Sequence, residues 1–233
     1  MPTLDDLLDD IFDGQRPALY TEFAGWAQDS RRFRAFAGSQ RVKIRAKLRN
    51  VRDEEGMQDL RAELETAVLL LREERFTLEY EKYAALKQRG PDFTVTFKTH
   101  TPFNVEVRRI RGVELGDGDA EARTGKVMAV LCDKVGQMPP GIANLLWLIA
   151  EREISEADLI SAAAMLRQLA ERKVEDFFTR RGFESAAHFL KQYRQLSGIV
   201  LRQSGGNALW LNSLARHKAP PEIVTALQRL VAR

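Results

Sequence analysis

Two acidic residues lie in neighbouring segments whose alternating pattern is typical of β-strands. Asp92 opens the segment 92–97, and Glu106 lies within the segment 103–108. If residues 98–102 form the turn, the numbers of opposed residues add up to 200. Asp92 and Glu106 are then diagonal neighbours on one face, with backbones about 7–8 Å apart. Two carboxylates at this separation can hold one divalent cation, and hard oxygen ligands suit Mg²⁺ or Mn²⁺.

The same pattern has a simpler interpretation, in which these residues form the polar face of an ordinary hairpin. Sheets often expose such a face to water, and no metal is then required. The neighbouring segments favour a covered face, because a helix precedes the hairpin and a helix and an apolar strand follow it. Buried carboxylates are costly unless they bind something. The polar face comprises Asp92, Thr94, Thr96, Asn104, Glu106 and Arg108.

The hydrophobic period predicts the elements that position these residues. Apolar residues recur every three or four positions through the first third of the chain, which predicts helices. The segment 41–49 also alternates like a strand, but the spacing of Ile44, Leu48 and Val51 favours a helix. The later predicted elements are a helix at 54–74, strands at 76–81, 92–97 and 103–108, a helix at 121–135, a buried strand at 144–150, helices from Ser155 and at 184–194, strands at 197–202 and 208–211, and a helix from Pro221.

This order predicts an α/β protein of the α+β type, with one mixed sheet flanked by helices. Its core is the α-β-β-β-α-β succession at residues 61–150. A helical extension at 1–60 precedes the core, and helices with a strand pair at 151–233 follow it. We expect the three parts to pack as one compact domain, since 233 residues lie within the single-domain range.

The residues around the two carboxylates resemble the motifs of the PD-(D/E)XK nuclease superfamily. That family has Pro-Asp at the start of its second core strand and Glu/Asp-x-Lys in the third. Here Pro91-Asp92 and Glu106-x-Arg108 occur in that order. The family's preceding helix usually carries a glutamate, which Glu63 matches, with Glu65 as a competing candidate. The resemblance covers residues 62–150 and implies a restriction-endonuclease-like core.

The resemblance implies a Mg²⁺-dependent nuclease that hydrolyses phosphodiester bonds, with DNA as the expected substrate. Mg²⁺ or Mn²⁺ would be bound by Asp92, Glu106 and the main-chain oxygen of Val107. Glu63 would be a third carboxylate of the active site. The nucleic acid would be the principal partner, and a homodimer is compatible with the sequence.

Arg108 departs from the family pattern, because the family has a lysine at this position. Arginine is not deprotonated in proteins, so Arg108 could hold a phosphate but could not act as a base. Lys126 or Lys134, on the following predicted helix, could replace the lysine by reaching over the site. The alternative is that both belong to a solvated helix face.

A basic segment at residues 31–49 is the candidate nucleic-acid-binding region. It contains eight lysines and arginines and no acidic residue. Arg41, Arg45 and Arg49 are the candidate phosphate contacts, and Arg109 adds charge beside the carboxylates. Such a segment can neutralise several phosphates, which makes binding salt-dependent. The alternative is a solvated helix face ahead of the acidic residues at 53–55.

Composition excludes several other classes of protein. With 44% hydrophobic and 30% charged residues, the chain is too apolar for a disordered polymer and too charged for a membrane protein. Cys132 is the single cysteine, which precludes an intramolecular disulfide and predicts a cytoplasmic location. The acidic, amphipathic N-terminus is unlike a secretory signal. Three isolated histidines and the lack of a Cys-x-x-Cys motif disfavour a zinc site.

Two other functions are compatible with the sequence. One is a catalytically weakened PD-(D/E)XK-like protein that binds nucleic acid or a partner protein without cleavage, and Arg108 favours it. The other is a structural interaction protein built from the helical terminal segments. Stabilisation of the fold by Mg²⁺ or Mn²⁺ separates the nuclease from both.

Overall fold

The computed structural model of the protein describes residues 3–83, 90–111, 120–151, 154–203 and 206–232. These residues form nine helices and one six-stranded sheet. The helices are α1 (Leu4–Phe12), α2 (Ala18–Asp29), α3 (Arg31–Asn50), α4 (Glu54–Leu70), α5 (Ala120–Val135), α6 (Glu156–Glu171), α7 (Glu175–Thr179), α8 (Ala186–Tyr193) and α9 (Pro221–Val231). The strands are β1 (Phe76–Tyr80), β2 (Phe93–Phe97), β3 (Thr101–Ile110), β4 (Ala143–Ala150), β5 (Leu196–Gln203) and β6 (Gly206–Leu211).

The sheet is mixed, and its strands lie in the same order as in the chain. Strands β1, β2 and β3 pair antiparallel, β3, β4 and β5 pair parallel, and β6 pairs antiparallel with β5. Parallel neighbours need a long crossover, which α5 supplies between β3 and β4, and α6 to α8 supply between β4 and β5. The predicted fold class, one mixed sheet flanked by helices, is confirmed.

Two hydrophobic cores cover the two faces of the sheet. Helices α1 to α4 and α9 pack on one face, and helices α5 to α8 pack on the other. Val105 and Val107 of β3 belong to the first core, and Ile110 belongs to the second. Because successive side chains of a strand point to opposite faces, Glu106 faces the α5 side. The polar hairpin face is therefore covered rather than open to water, and Glu106 is only 5% exposed.

The ambiguous segment 41–49 is helical, as the spacing of its apolar residues indicated. It lies within α3, where Ile44 is fully buried in the first core. The side-chain oxygen of Ser30 caps this helix by accepting a hydrogen bond from the amide of Phe33, at 3.1 Å. Ser155 and Asp158 form the expected capping box of α6. Helix α7 was not predicted, and α4 ends at Leu70 instead of residue 74.

The predicted register of β2 and β3 was wrong by two residues. Thr94 pairs with Asn104, so opposed numbers add up to 198, and the turn contains only residues 98–100. Lys98 adopts a positive φ of 55° in this tight turn. Pro102 has the character of a turn residue but lies near the start of β3, where proline is tolerated. A shift of two residues keeps every strand side chain on its face, so the polar and apolar sets were correct for the residues within β2 and β3. Asp92 lies just before β2, and its carboxylate turns to the Val107 amide and Lys47.

The three parts predicted along the chain pack around one sheet. Helix α4 crosses the position 60/61 that separates the predicted helical extension from the predicted core. Strands β5 and β6 of the C-terminal segment continue the sheet beyond β4. The N-terminal helices pack against the same core as α4, because Leu7 and Phe23 share a cluster with Leu64 and Val105.

Candidate active site

A pocket of about 120 Å³ lies beside β3, just beyond the first residue of β2. Because β2 begins at Phe93, the part of β3 after Val105 has no antiparallel neighbour on that side. Side chains from α4 on one face and α5 on the other reach into the resulting gap. The pocket is lined by Asp59, Ala62, Glu63, Asp92, Glu106, Val107, Arg108, Arg109 and Lys134.

Asp92 fills the gap at the level where β2 would otherwise continue. Its Oδ2 accepts a hydrogen bond from the amide of Val107 at 2.8 Å, and its carbonyl accepts one from the amide of Glu81 at 2.7 Å. These bonds fix both its main chain and its carboxylate. Burial raises the pKa of Asp92, although Lys47 and the Val107 amide favour the charged form.

Glu106 lies across the gap from Asp92, on the face covered by α5. Its Oε1 is 2.7 Å from the Nζ of Lys134. Burial and the negative charge of Asp92 raise the pKa of Glu106 to about 7, against the opposing effect of Lys134. The two carboxylates are therefore close enough to repel each other, and a cation between them would relieve that repulsion.

Glu63, on α4, is the third carboxylate of the pocket. Its Oε2 lies 2.6 Å from the Nζ of Lys47 and accepts a hydrogen bond from the hydroxyl of Tyr80. Burial and the charge of Asp92 raise its pKa to about 8. The competing candidate, Glu65, contacts Arg202 at 3.3 Å and does not line the pocket.

Lys47, on α3, is a site residue that the sequence did not identify. Its Nζ lies 2.6 Å from Glu63, 3.1 Å from Glu81 and 3.6 Å from Asp92, and 4.9 Å from the centre of the Tyr80 ring. Burial acts to lower its pKa, but attraction to Glu63 and Asp92 outweighs burial and raises it. In the sequence Lys47 is one of many basic residues at 31–49, and nothing local marks it.

Of the two candidate lysines of α5, only Lys134 lies at the pocket. Lys134 Nζ contacts Glu106 and its side chain is 12% exposed, whereas Lys126 Nζ donates to the carbonyl of Arg111 at 2.8 Å. Arg108 lines the pocket and is partly exposed. Within the described residues it makes no hydrogen bond or ion pair, so its guanidinium is free to bind an anion. Lys134 and Arg108 thus line the pocket together with the carboxylates, in addition to Lys47, which contacts Glu63 and Asp92.

Arg109 is held by acidic groups. Its side chain is only 8% exposed, and its guanidinium contacts Asp59 at 3.1 Å and Glu55 at 3.4 Å, and also Glu151. These contacts tie β3 to α4 and to the end of β4. Because three carboxylates already surround its charge, a phosphate would have to displace them to bind Arg109.

The other predicted nucleic-acid contacts are paired with acidic residues at the end of α1. Arg41 Nε lies 3.0 Å from Asp10, Arg45 Nη1 lies 2.5 Å from Asp10, and Arg49 Nε lies 2.7 Å from Asp13. Exposed ion pairs contribute only about 0–1 kcal/mol each, so a phosphate can compete for these arginines. Their role in nucleic-acid binding stays a prediction.

The donor chemistry of the pocket suits a two-carboxylate Mg²⁺ site. Among the described residues, no group of three or more His, Cys, Asp or Glu side chains is arranged to hold a metal ion. Mg²⁺ is usually bound through only one or two carboxylates, and waters and substrate phosphates complete its shell. Asp92 and Glu106 form such a pair. The main-chain oxygen of Val107 stays a predicted ligand, while its amide binds Asp92.

Comparisons with protein-family models, with curated proteins and with solved structures find no match for this chain. No helix in the part of the chain that the structure describes combines the length and apolar character needed to cross a membrane.

Proposed function

We propose that this protein is a Mg²⁺-dependent nuclease of the PD-(D/E)XK type, which hydrolyses phosphodiester bonds in DNA. The observation that supports the proposal is the convergence of Glu63, Asp92, Glu106 and Lys134 on one pocket beside β3. These residues come from three separate parts of the chain, on α4, on the β2–β3 hairpin and on α5. The polar face of an ordinary hairpin would not require a glutamate and a lysine from two other elements.

The carboxylates are the proposed ligands of the catalytic cation. Mg²⁺, or Mn²⁺, between Asp92 and Glu106 would lower the pKa of a bound water and neutralise charge on the phosphate. Asp92 is oriented for this role by the Val107 amide, which holds one carboxylate oxygen in the plane of the sheet. Glu63 is held by Lys47 and Tyr80, and it places a third carboxyl group next to the same gap.

Lys134 is the proposed counterpart of the motif lysine that Arg108 replaces. An ammonium group 2.7 Å from Glu106 can orient the attacking water or stabilise the negative charge that develops on the phosphate. Arg108 is proposed to bind a non-bridging phosphate oxygen, since its guanidinium has no partner among the described residues. In this proposal Lys134 of α5 performs the function of the motif lysine, and Arg108 of β3 binds the phosphate.

A second candidate is a catalytically weakened protein that binds nucleic acid or a partner protein without cleavage. The observation that favours it is the position of Lys47, whose ammonium lies within 3.6 Å of three carboxylates. A built-in cation supplies charge that a metal would otherwise provide. The nuclease proposal requires Asp92 and Glu106 to bind the metal while Lys47 continues to neutralise Glu63 and Glu81.

The test is incubation of circular single- and double-stranded DNA with the protein in Mg²⁺ or Mn²⁺. Metal-dependent nicking by the wild type, lost in Asp92→Asn and reduced about 100-fold or more in Lys134→Met, is expected for an essential acid–base or charge-stabilising group. Lys126→Met is the matched control, because it removes a lysine of the same helix that lies outside the pocket. DNA that stays intact with wild-type protein in both metals would favour the second candidate. Equal rates for the two lysine variants would remove Lys134 from the mechanism.

A further inference from the structure

A second concave site lies on the surface between α8 and the segment that follows β6. It is a groove with a volume of about 620 Å³, within the range of ligand-binding clefts. Apolar side chains form part of its lining, and three exposed cations border it. The lining residues are Ala187, Leu190, Lys191, Arg194, Gln195, Leu214 and Arg216.

The charged residues that line this groove are all positive. Between Glu184 and Glu222 the chain contains no acidic residue. Lys191, Arg194 and Arg216 form no ion pair with any residue that the structure describes, in contrast to the paired arginines of α3. Three unpaired cations around one concave surface attract a polyanion and repel one another until it binds.

The walls of the groove are held in place by buried hydrogen bonds. The amide of Arg216 donates to the carbonyl of Arg194 at 2.8 Å, which fixes the two arginines side by side. Asn212 is 3% exposed, and its side chain donates to the carbonyls of Tyr193 and Leu196. The shape of the groove is therefore fixed by hydrogen bonds of the folded structure.

Gln195 adds a polar group to the groove. Its side-chain oxygen is buried and has no hydrogen-bond partner within the described part of the chain. This oxygen is therefore closed to a ligand in the groove, and recognition of a ligand there depends on the three cations.

The groove lies on the same face of the sheet as Glu106 and Lys134 of the carboxylate pocket. Glu106 faces α5, and α5 and α8 share one hydrophobic core. Glu106 pairs with Leu146 on β4, and Leu196, which follows Gln195, pairs with Asn144. Two strand spacings and two residues of rise put the backbones of Glu106 and Leu196 roughly 12 Å apart. A separation of this order lets one nucleic acid strand reach both sites within a few nucleotides.

We propose that this groove binds the phosphodiester backbone of a nucleic acid strand, a few nucleotides from the phosphate in the carboxylate pocket. Lys191, Arg194 and Arg216 contact the phosphates. The identity of the ligand rests on the proposed nuclease function. The unpaired cations of α8 and Arg216, and not the paired arginines of α3, are then the main nucleic-acid contacts.

The test measures binding separately from cleavage. A fluorescent 16-nucleotide single-stranded DNA is titrated with the protein in EDTA over a range of salt concentrations. The triple variant Lys191→Gln/Arg194→Gln/Arg216→Gln should weaken binding about tenfold or more and lower the salt slope by about 2, for three lost contacts at about 0.7 each. The matched control neutralises three exposed cations outside the groove, with the substitutions Arg172→Gln, Lys173→Gln and Arg180→Gln.

Several outcomes overturn the proposal. Equal losses in the two triple variants would show a non-specific charge effect. Poly-glutamate that displaces the DNA as well as unlabelled DNA does would indicate an acidic protein partner instead. The double variant Arg194→Lys/Arg216→Lys keeps the charges and should retain the slope, which controls for damage to the fold.

Measurement of DNA cleavage then distinguishes failure of the groove proposal from failure of the nuclease proposal. If the wild type cuts DNA, the groove variant should raise KM and leave kcat unchanged, because it removes binding that is equal in ground and transition states. If no cleavage occurs but the groove variant alone loses DNA binding, the nuclease proposal fails and the groove proposal stands. If the wild type cuts DNA and the groove variant binds DNA as tightly as the wild type, the groove proposal fails and the nuclease proposal stands.

Discussion

Replacement of Lys47 by methionine tests the cation that contacts two carboxylates of the pocket, Glu63 and Asp92. Its Nζ lies 2.6, 3.1 and 3.6 Å from three carboxylates, and its side chain is 25% exposed. Methionine keeps the length of the stem but removes the charge. Breaking a buried ion pair from one side typically costs about 3–5 kcal/mol. Because the carboxylates can escape part of this cost by taking up protons, we expect a loss near the lower end of that range, about 3 kcal/mol at pH 7.

The loss should depend on pH in a defined direction. Lys47 lowers the pKa of Glu63, which is nevertheless raised to about 8. Without Lys47 the pKa of Glu63 rises further above its ordinary value of 4.5. A raised pKa in the folded state contributes stability that is complete below 4.5 and is lost as pH rises through the folded-state pKa. As far as Glu63 is concerned, the two proteins should therefore lose stability in parallel from pH 4.5 to about 8, and the variant should fall further below the wild type above about pH 8.

Urea denaturation followed by tryptophan fluorescence measures this effect, since Trp147 is 1% exposed in the folded protein. Mn²⁺ should restore more stability to Lys47→Met than to the wild type, because a divalent cation replaces the lost charge. Lys43→Met is the matched control, since Lys43 lies one turn earlier on α3 and contacts only main-chain oxygens. If both variants lose the same stability, with no difference in pH or Mn²⁺ dependence, the carboxylates do not share the charge of Lys47.

The remaining predictions concern the other residues of the pocket and of α3. Asp92→Asn should abolish metal-dependent cleavage but keep DNA binding in EDTA, as measured by nicking and by anisotropy; retained cleavage after chelator treatment and return of Mg²⁺ would refute the carboxylate site. Arg108→Lys should keep or raise the rate of cleavage, whereas Arg108→Ala should lower it by removing a charge beside the phosphate, and equal rates would exclude Arg108. In the metal-free wild type, the raised pKa of Glu106 should cause a loss of stability between pH 4.5 and about 7, worth about 3 kcal/mol at about 1.4 kcal/mol per pKa unit. Glu106→Gln should remove this pH dependence, because the amide does not titrate. Neutralising Arg45 and Arg49 should reduce the salt slope of DNA binding by about one per lost contact, and an unchanged slope would leave them as partners of α1 alone.

Local pattern was sufficient to predict the sheet face on which the catalytic candidates lie. The period of two from Phe93 to Val107 separates polar from apolar residues, and this separation survives a register error of two. The helical spacing of Ile44 and Leu48 likewise predicted α3 against a competing alternation. Such features depend on neighbours a few residues away, which is the range over which side-chain direction is set by the backbone.

Only the tertiary structure decided which charged residues meet. Lys47 and Lys134 are 87 residues apart in the chain and reach the same gap from α3 and α5, on opposite faces of the sheet. No short-range pattern distinguishes them from the other basic residues of their helices. The partners of the arginines of α3 were equally unpredictable from the sequence, because they depend on the packing of α1, which places Asp10 beside Arg41 and Arg45. Periodicity determines the face of an element, whereas the partner of a charge depends on how distant elements pack, and that packing is set by the two cores as a whole.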